Sequence, residues 1–209
     1  SRGREFSGLC LLSFYHPVRT LDLLKWRRPR VNLLPVIVLP AALILVRCLA
    51  SYFTGFTVSQ MDIRDVSIFY EIALVLLPYV SMAVSAYAIT SVFSGEMTLY
   101  ETFASFSYSM VPMIVLWPVL TVVSRVVAAQ EAALFLGIQS LVYVWMVWNI
   151  ILSIGRLNDY SAKKTVAMFL LSVLGVAIVW VLCMLVFTFS AQLFHFFSDV
   201  FEEIGSRFM

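Results

Sequence analysis

Few residues of this 209-residue chain carry reactive atoms, and none stands at a spacing that assembles a catalytic group. His16 and His195 lie near opposite ends of the chain, and no HExxH sets a second ligand one helical turn away. Cys10, Cys48 and Cys183 form an odd, scattered set without CxxC spacing, which speaks against both a disulfide framework and a zinc site. They read as small hydrophobes. Neither GxSxG nor a phosphate-cradling P-loop is present. The chain is therefore expected to catalyse nothing and to hold no metal and no cofactor, and nothing in it points to nucleic acid.

The remaining candidates are charges set in apolar runs. An ionisable side chain in hydrocarbon is costly, so it marks a pair, a side chain reaching for water, or a functional site. Arg47 stands six residues before Phe53, about 9 Å along a helix, and Glu71 three residues after Ile68. Both approach the same surface. Arg47 is expected to pair with Glu71 there, or each to snorkel towards water. Arg125 approaches that surface as well. Asn149, with Tyr143, Trp145 and Trp148, makes a polar-aromatic patch that reads as packing or interface anchoring, a ligand pocket being the alternative.

The elements that must position these residues follow from composition. The chain is 62% hydrophobic and 12% charged, against roughly 45–50% and about 25% in an ordinary soluble chain. Twelve acids and fourteen bases are too few to cover a soluble domain of this size, so the bilayer is the expected solvent. Five segments match the ~20 helical residues that cross about 30 Å of hydrocarbon: 33–53, 68–93, 106–129, 132–155 and 165–190. The fold class expected is all-α, a polytopic integral membrane protein of five transmembrane helices with proline kinks and interfacial helices. Residues 1–32 form a basic cytoplasmic or interfacial segment, 33–190 the transmembrane domain, and 191–209 an acidic amphipathic tail outside.

Lys and Arg are retained on the cytoplasmic side of a membrane. With the N-terminus inside, the inner segments 1–32, 94–105 and 156–164 carry seven, zero and three bases, and the outer ones only Arg64, Arg125 and Arg207. The N-terminus is thus expected in the cytoplasm and the C-terminus outside. No cleavable signal peptide is read: Gly8 to Tyr15 is short for a signal core, and HPVRT follows it.

Three flanking segments have helical patterns of their own. Pro17 suits the first turn of a helix with Val18, Leu21 and Leu24 on one side and Arg19, Asp22 and Lys25 on another. The WRRPR run that follows is a topology determinant at anionic headgroups. After Ser94-Gly95, the stretch Thr98 to Glu101 matches a capping box and starts a short helix that feeds the third span. In the tail, Leu193, Phe197, Val200 and Ile204 recur at helical spacing opposite Gln192, Asp199, Glu202 and Glu203.

Five of the seven prolines fall in the spans. Pro35 lies at an entry, whereas Pro40, Pro78, Pro112 and Pro118 are expected to kink the first three helices. Pro112 frees the carbonyl of Tyr108 and Pro118 that of Ile114; in hydrocarbon each needs another donor, with Ser107, Ser109, Thr121 and neighbouring helices as candidates. Broken helices mark transport sites at mid-membrane in some proteins and bent packing in others.

The basic segment with FYHPVRTLDLL, the five spans, the inner helix TLYETFASFSYSMVP and the loop LNDYSAKKT together resemble the Yip1 domain family over roughly residues 14–190. Tyr108 and Pro112, as Tyr-x-x-x-Pro, are the most family-like local feature. The resemblance implies a five-helix membrane protein with a cytoplasmic N-terminus and no catalytic residues. Eukaryotic relatives associate with Rab GTPases and membrane traffic; this chain is more similar to the short bacterial members, often linked with carbohydrate ABC importers. The function expected is that of a non-enzymatic accessory or scaffold protein of the bacterial plasma membrane, whose partners are the lipid bilayer and other integral membrane proteins, a sugar ABC importer first. A small transporter or channel, with its path among the first three helices, is the alternative.

Overall fold

The capping box read in the sequence forms: the Glu101 N–H donates to Thr98 Oγ1 at 3.3 Å, and the Thr98 N–H donates to the Glu101 carboxylate at 2.8 Å. It starts α5 (Leu99–Ser109), the most enclosed helix of the computed structural model, which describes residues 2–27, 33–53, 68–125 and 131–207. From Glu101 to Met113 every residue except Phe103 is buried. In chain order α1 (Arg2–Tyr15), α2 (Pro17–Arg27), α3 (Leu34–Phe53) and α4 (Ile68–Val92) precede α5. Following it are α6 (Val111–Ser124), α7 (Ala132–Leu157) and α8 (Ala162–Arg207), with no strand among the described residues.

Small polar residues share the interior with apolar ones, and the outside is apolar, unlike that of a soluble protein. Thr90, Thr102, Ser105, Ser107, Ser153 and Ser172 are fully enclosed, while Leu, Val, Ile and Phe side chains stand exposed along α3, α4, α7 and α8. Small residues let helix backbones approach, and in lipid that packing replaces the hydrophobic drive available in water. Contact between α4 and α8 shows the device. Ala83 and Ala86 are fully buried, Ser85 Oγ donates to the Ser172 carbonyl at 2.8 Å, and a side chain at Gly175 would collide with Ser85 Oγ. The buried hydroxyls of α5 are neutralised locally, donating to carbonyls three or four residues back.

Five helical stretches are long and apolar enough to cross a membrane: Leu34–Phe53, Ile68–Val92, Leu99–Ser124, Ala133–Leu157 and Ala162–Phe194, with hydropathies from 1.7 to 2.9. The chain is a multi-pass membrane protein by that measure. The third stretch begins at Leu99 rather than near 106, because the capped helix α5 runs directly into it. Residues 126–129, expected at its far end, lie outside the described residues.

Pro40, Pro78 and Pro118 sit inside helices that continue past them. Pro112 does more: α5 ends at Ser109, Met110 joins the two pieces, and Pro112 falls in the first turn of α6, where a missing N–H costs nothing. α8 continues through the expected tail boundary without a break, to Arg207. The side chains that would test the tail's amphipathic split, from Phe197 onward, lie outside the described residues, as do Arg28, Pro29 and Arg30 of the basic run.

Pro17 opens α2, and the split read in its sequence is present: Leu21 and Leu24 are buried, Arg19 and Asp22 exposed. Protein covers the buried face. Leu24 packs in one apolar cluster with Leu39, Ala104, Tyr108 and Val111, and Phe14 of α1 stacks on Trp145 of α7 at 5.7 Å.

At one end of the bundle, here termed basal, the α4–α5 and α7–α8 connections lock together. Ser94 turns the chain with φ 60, and the Gly95 N–H donates to the Thr90 carbonyl at 2.7 Å. Gly95 is required by close approach, since a Cβ there would lie 2.5 Å from Asn158 Oδ1 and 2.7 Å from the Thr90 carbonyl oxygen. Asn158 accepts from the Met97 N–H at 3.1 Å, and Tyr160 donates to the Phe93 carbonyl at 3.1 Å. Burial raises the Tyr160 phenol above its ordinary pKa, so it remains a neutral donor. Lys25 of α2 pairs with Asp159 at this end.

Candidate functional site

The opposite, apical, half of the bundle holds the ion pair. Helix α3 brings Arg47 and helix α4 brings Glu71 to the same level, and Arg47 Nε donates to Glu71 Oε2 at 2.9 Å with side-chain exposures of 14% and 10%. Each partner has further support. Ser51, one turn after Arg47, donates to Glu71 Oε1 at 2.8 Å, while Arg47 Nη1 donates to the Tyr143 hydroxyl at 3.1 Å. The guanidinium lies 5.5 Å from the centre of the Trp117 ring, which Tyr143 meets edge-on at 5.3 Å. A fork of donors against a carboxylate, an aromatic face and a phenol compensates desolvation that a bare pair would not survive.

Beside this cluster opens a cavity of about 460 Å³ bounded by α3 to α8, with Pro78 in its wall and Arg47 and Tyr143 at its edge. Its surface is otherwise almost wholly hydrocarbon and sulfur. Arg47, Glu71 and Pro78 thus converge on one place, as a pair with a neighbouring apolar cavity. Arg125 stands apart, its Nε donating to the Phe53 carbonyl at 2.9 Å and its guanidinium 5.3 Å from the Phe53 ring, so it ties α6 to the end of α3. Pro118 faces outward.

A second polar place joins Tyr108, Pro112 and Asn149. The Tyr108 carbonyl that Pro112 deprives of its helical N–H accepts a hydrogen bond from Ser13 Oγ of α1 at 2.9 Å. Of the donors expected from the sequence, a neighbouring helix fills that role, whereas Ser107, Ser109 and Thr121 donate within their own helices. Asn149 lies eight residues before the end of α7 at Leu157, about 12 Å along the helix, and is buried with neither amide atom bonded. Thr20 Oγ1 of α2 is equally unpartnered, and both residues line a void of about 10 Å³. That is room for one water molecule, whose hydrogen bonds would satisfy these groups.

The polar-aromatic patch is divided around α7: Tyr143 serves the ion pair, Trp145 carries Phe14, Trp148 is exposed and Asn149 faces the small void. No family model, characterised protein or solved structure matches the chain.

Ser13, Thr20, Ser51 and Trp117 were not legible as site residues. A serine in a short apolar run carries no signal by itself; only a search for the donor that a proline-freed carbonyl needs would have pointed towards one. Chemically, the apical cluster offers a fixed guanidinium at the mouth of a dry cavity, and the second place offers neutral hydrogen-bonding groups. Among the described residues no group of three His, Cys, Asp or Glu side chains is close enough to hold a metal.

Proposed function

We propose that this chain is a non-enzymatic accessory protein of a bacterial plasma membrane, its N-terminus cytoplasmic, that works by lateral association with other integral membrane proteins. The observation that carries this reading is the apolar length of α8. The span candidate Ala162–Phe194 has a most apolar window only 6% buried; from Thr165, past the two lysines, to Phe194 it measures about 45 Å at 1.5 Å per residue. Hydrocarbon is about 30 Å thick, so lipid alone would cover that length only at a tilt of about 48°, outside the range of about 0–40° that transmembrane helices adopt.

Beyond Val176 every described residue of α8 is exposed, including Trp180, Phe187, Phe189 and Phe194. The packing of α8 on α4 through Ser172 and Gly175 limits its freedom to lean. A partner helix bundle or an apolar extracytoplasmic surface is the remaining cover. The likeness to short bacterial Yip1 proteins makes a carbohydrate ABC importer the first partner to seek, and the excess of bases on the inner segments supports the orientation.

Affinity purification of the full chain from its native membrane in mild detergent, beside a variant truncated after Ser190, tests the reading. A membrane protein retained by the full chain and lost by the truncation is expected. Repeated recovery of the chain alone would refute it. The transporter alternative would require flux of a solute in proteoliposomes, and the hydrocarbon lining beside Arg47 speaks against a hydrated one.

A further inference from the structure

We infer that the 460 Å³ cavity beside the ion pair binds one acyl chain of a bilayer phospholipid, with an oxygen of its headgroup region on Arg47. Packed interiors hold few voids larger than a water molecule, and a cavity of about 150 Å³ already takes a benzene, so a space three times larger needs an occupant. Water is a poor one. Its hydrogen bonds would be lost over nearly all of this lining, and apolar cavities stay dry.

The geometry selects a flexible chain entering from the side. Val75, Tyr79, Phe106 and Met113 form a buried floor, whereas Val173 and Trp180 on the rim are 45% and 41% exposed, so the opening faces the lipid. Four of the nine methionines line the cavity, Met82, Met110, Met113 and Met146, and unbranched thioethers conform to a mobile hydrocarbon.

The polar end is supplied by Arg47. Nε donates to Glu71 and Nη1 to Tyr143, and the guanidinium so held lines the cavity. Arg47 lies about 9 Å along α3 from its end at Phe53, a depth from which a long arginine side chain extends towards the headgroup oxygens of the interface. One guanidinium donor beside an apolar cavity matches a molecule with an acceptor at one end and hydrocarbon at the other. The rim shares Trp180 with the surface of α8 assigned to a partner, so the inference is made for the chain by itself in lipid, where its test does not depend on that partner.

The test uses the full chain in nanodiscs containing a trace of phosphatidylglycerol with a diazirine in mid-chain, photolysed and mapped by mass spectrometry. Adducts on the buried floor, at Val75, Tyr79 or Met113, are expected, at yields comparable to those on the lipid-facing Val144 and Leu170. Filling the cavity with Met82→Trp or Met146→Trp is expected to cut floor adducts at least tenfold and leave those at Val144 and Leu170 unchanged. The wild-type floor-to-surface ratio needs no variant, so the inference stays testable if a tryptophan variant fails to fold. Floor residues without adducts, or adducts unmoved by filling, would overturn it. So would cross-links showing a second protein segment seated on the floor.

Discussion

Replacing Arg47 by leucine leaves the Glu71 carboxylate buried with, among the described residues, only the Ser51 hydroxyl for a partner. Removing one member of a buried ion pair costs about 3–5 kcal/mol, because the charge left behind keeps its desolvation penalty and loses its compensation. Glu71→Leu strands the guanidinium in the same way, so the two single losses sum to roughly 6–10 kcal/mol. Replacing both by leucine removes the penalty with the pair and leaves mainly the loss of the Trp117 and Tyr143 contacts, about 1–2 kcal/mol. The double variant is therefore expected to be more stable than Arg47→Leu alone. Reversible unfolding of the purified chain by dodecyl sulfate in mixed micelles, read by circular dichroism at a fixed micelle composition, gives the four free energies of the cycle. Losses that add to within about 0.5 kcal/mol would show that the two residues act independently, and the pair would cease to explain why charges are kept here.

The same titration checks three more expectations. Ser13→Ala removes the donor to the Tyr108 carbonyl and is expected to cost about 1–3 kcal/mol, but much less in a Pro112→Ala background, where the new N–H at position 112 serves that carbonyl; equal costs in the two backgrounds would contradict the assignment. Asn149→Leu is expected to destabilise by about 1–2 kcal/mol and Thr20→Val to add little to it, since both remove partners of one water in the small void. Gly175→Leu drives a side chain into Ser85 Oγ and towards Ile89, so a loss of about 1–3 kcal/mol is expected, with faster proteolysis of α8.

Much of the architecture was legible because a bilayer imposes simple requirements. Length and apolarity mark a spanning helix without reference to its neighbours, so the first, second and fourth spans were bounded to within a residue or two of α3, α4 and α7. Local chemistry fixed other features: Pro17 opening α2, and the reciprocal bonds of Thr98 and Glu101 opening α5. The start of the third span was read late because α5 is rich in serine, and hydropathy lowers the score of a helix whose hydroxyls in fact bond to its own backbone. Depth alone left Arg47 and Glu71 either to pair or to snorkel, and the structure shows the pair.

What the sequence by itself determined was the apolar exterior, the five helices long and apolar enough to cross a membrane, and the need of Arg47, Glu71 and the Tyr108 carbonyl for partners, because these follow from single residues meeting hydrocarbon. Which atoms meet those needs was decided by tertiary packing. Ser13 is 95 residues from Tyr108 and Tyr143 is 96 from Arg47, and no periodicity within one helix encodes the face that another helix presents to it. The apolar cavity is likewise a property of how six helices fail to fill the space between them, and a volume that no residue occupies leaves no mark in the order of the residues.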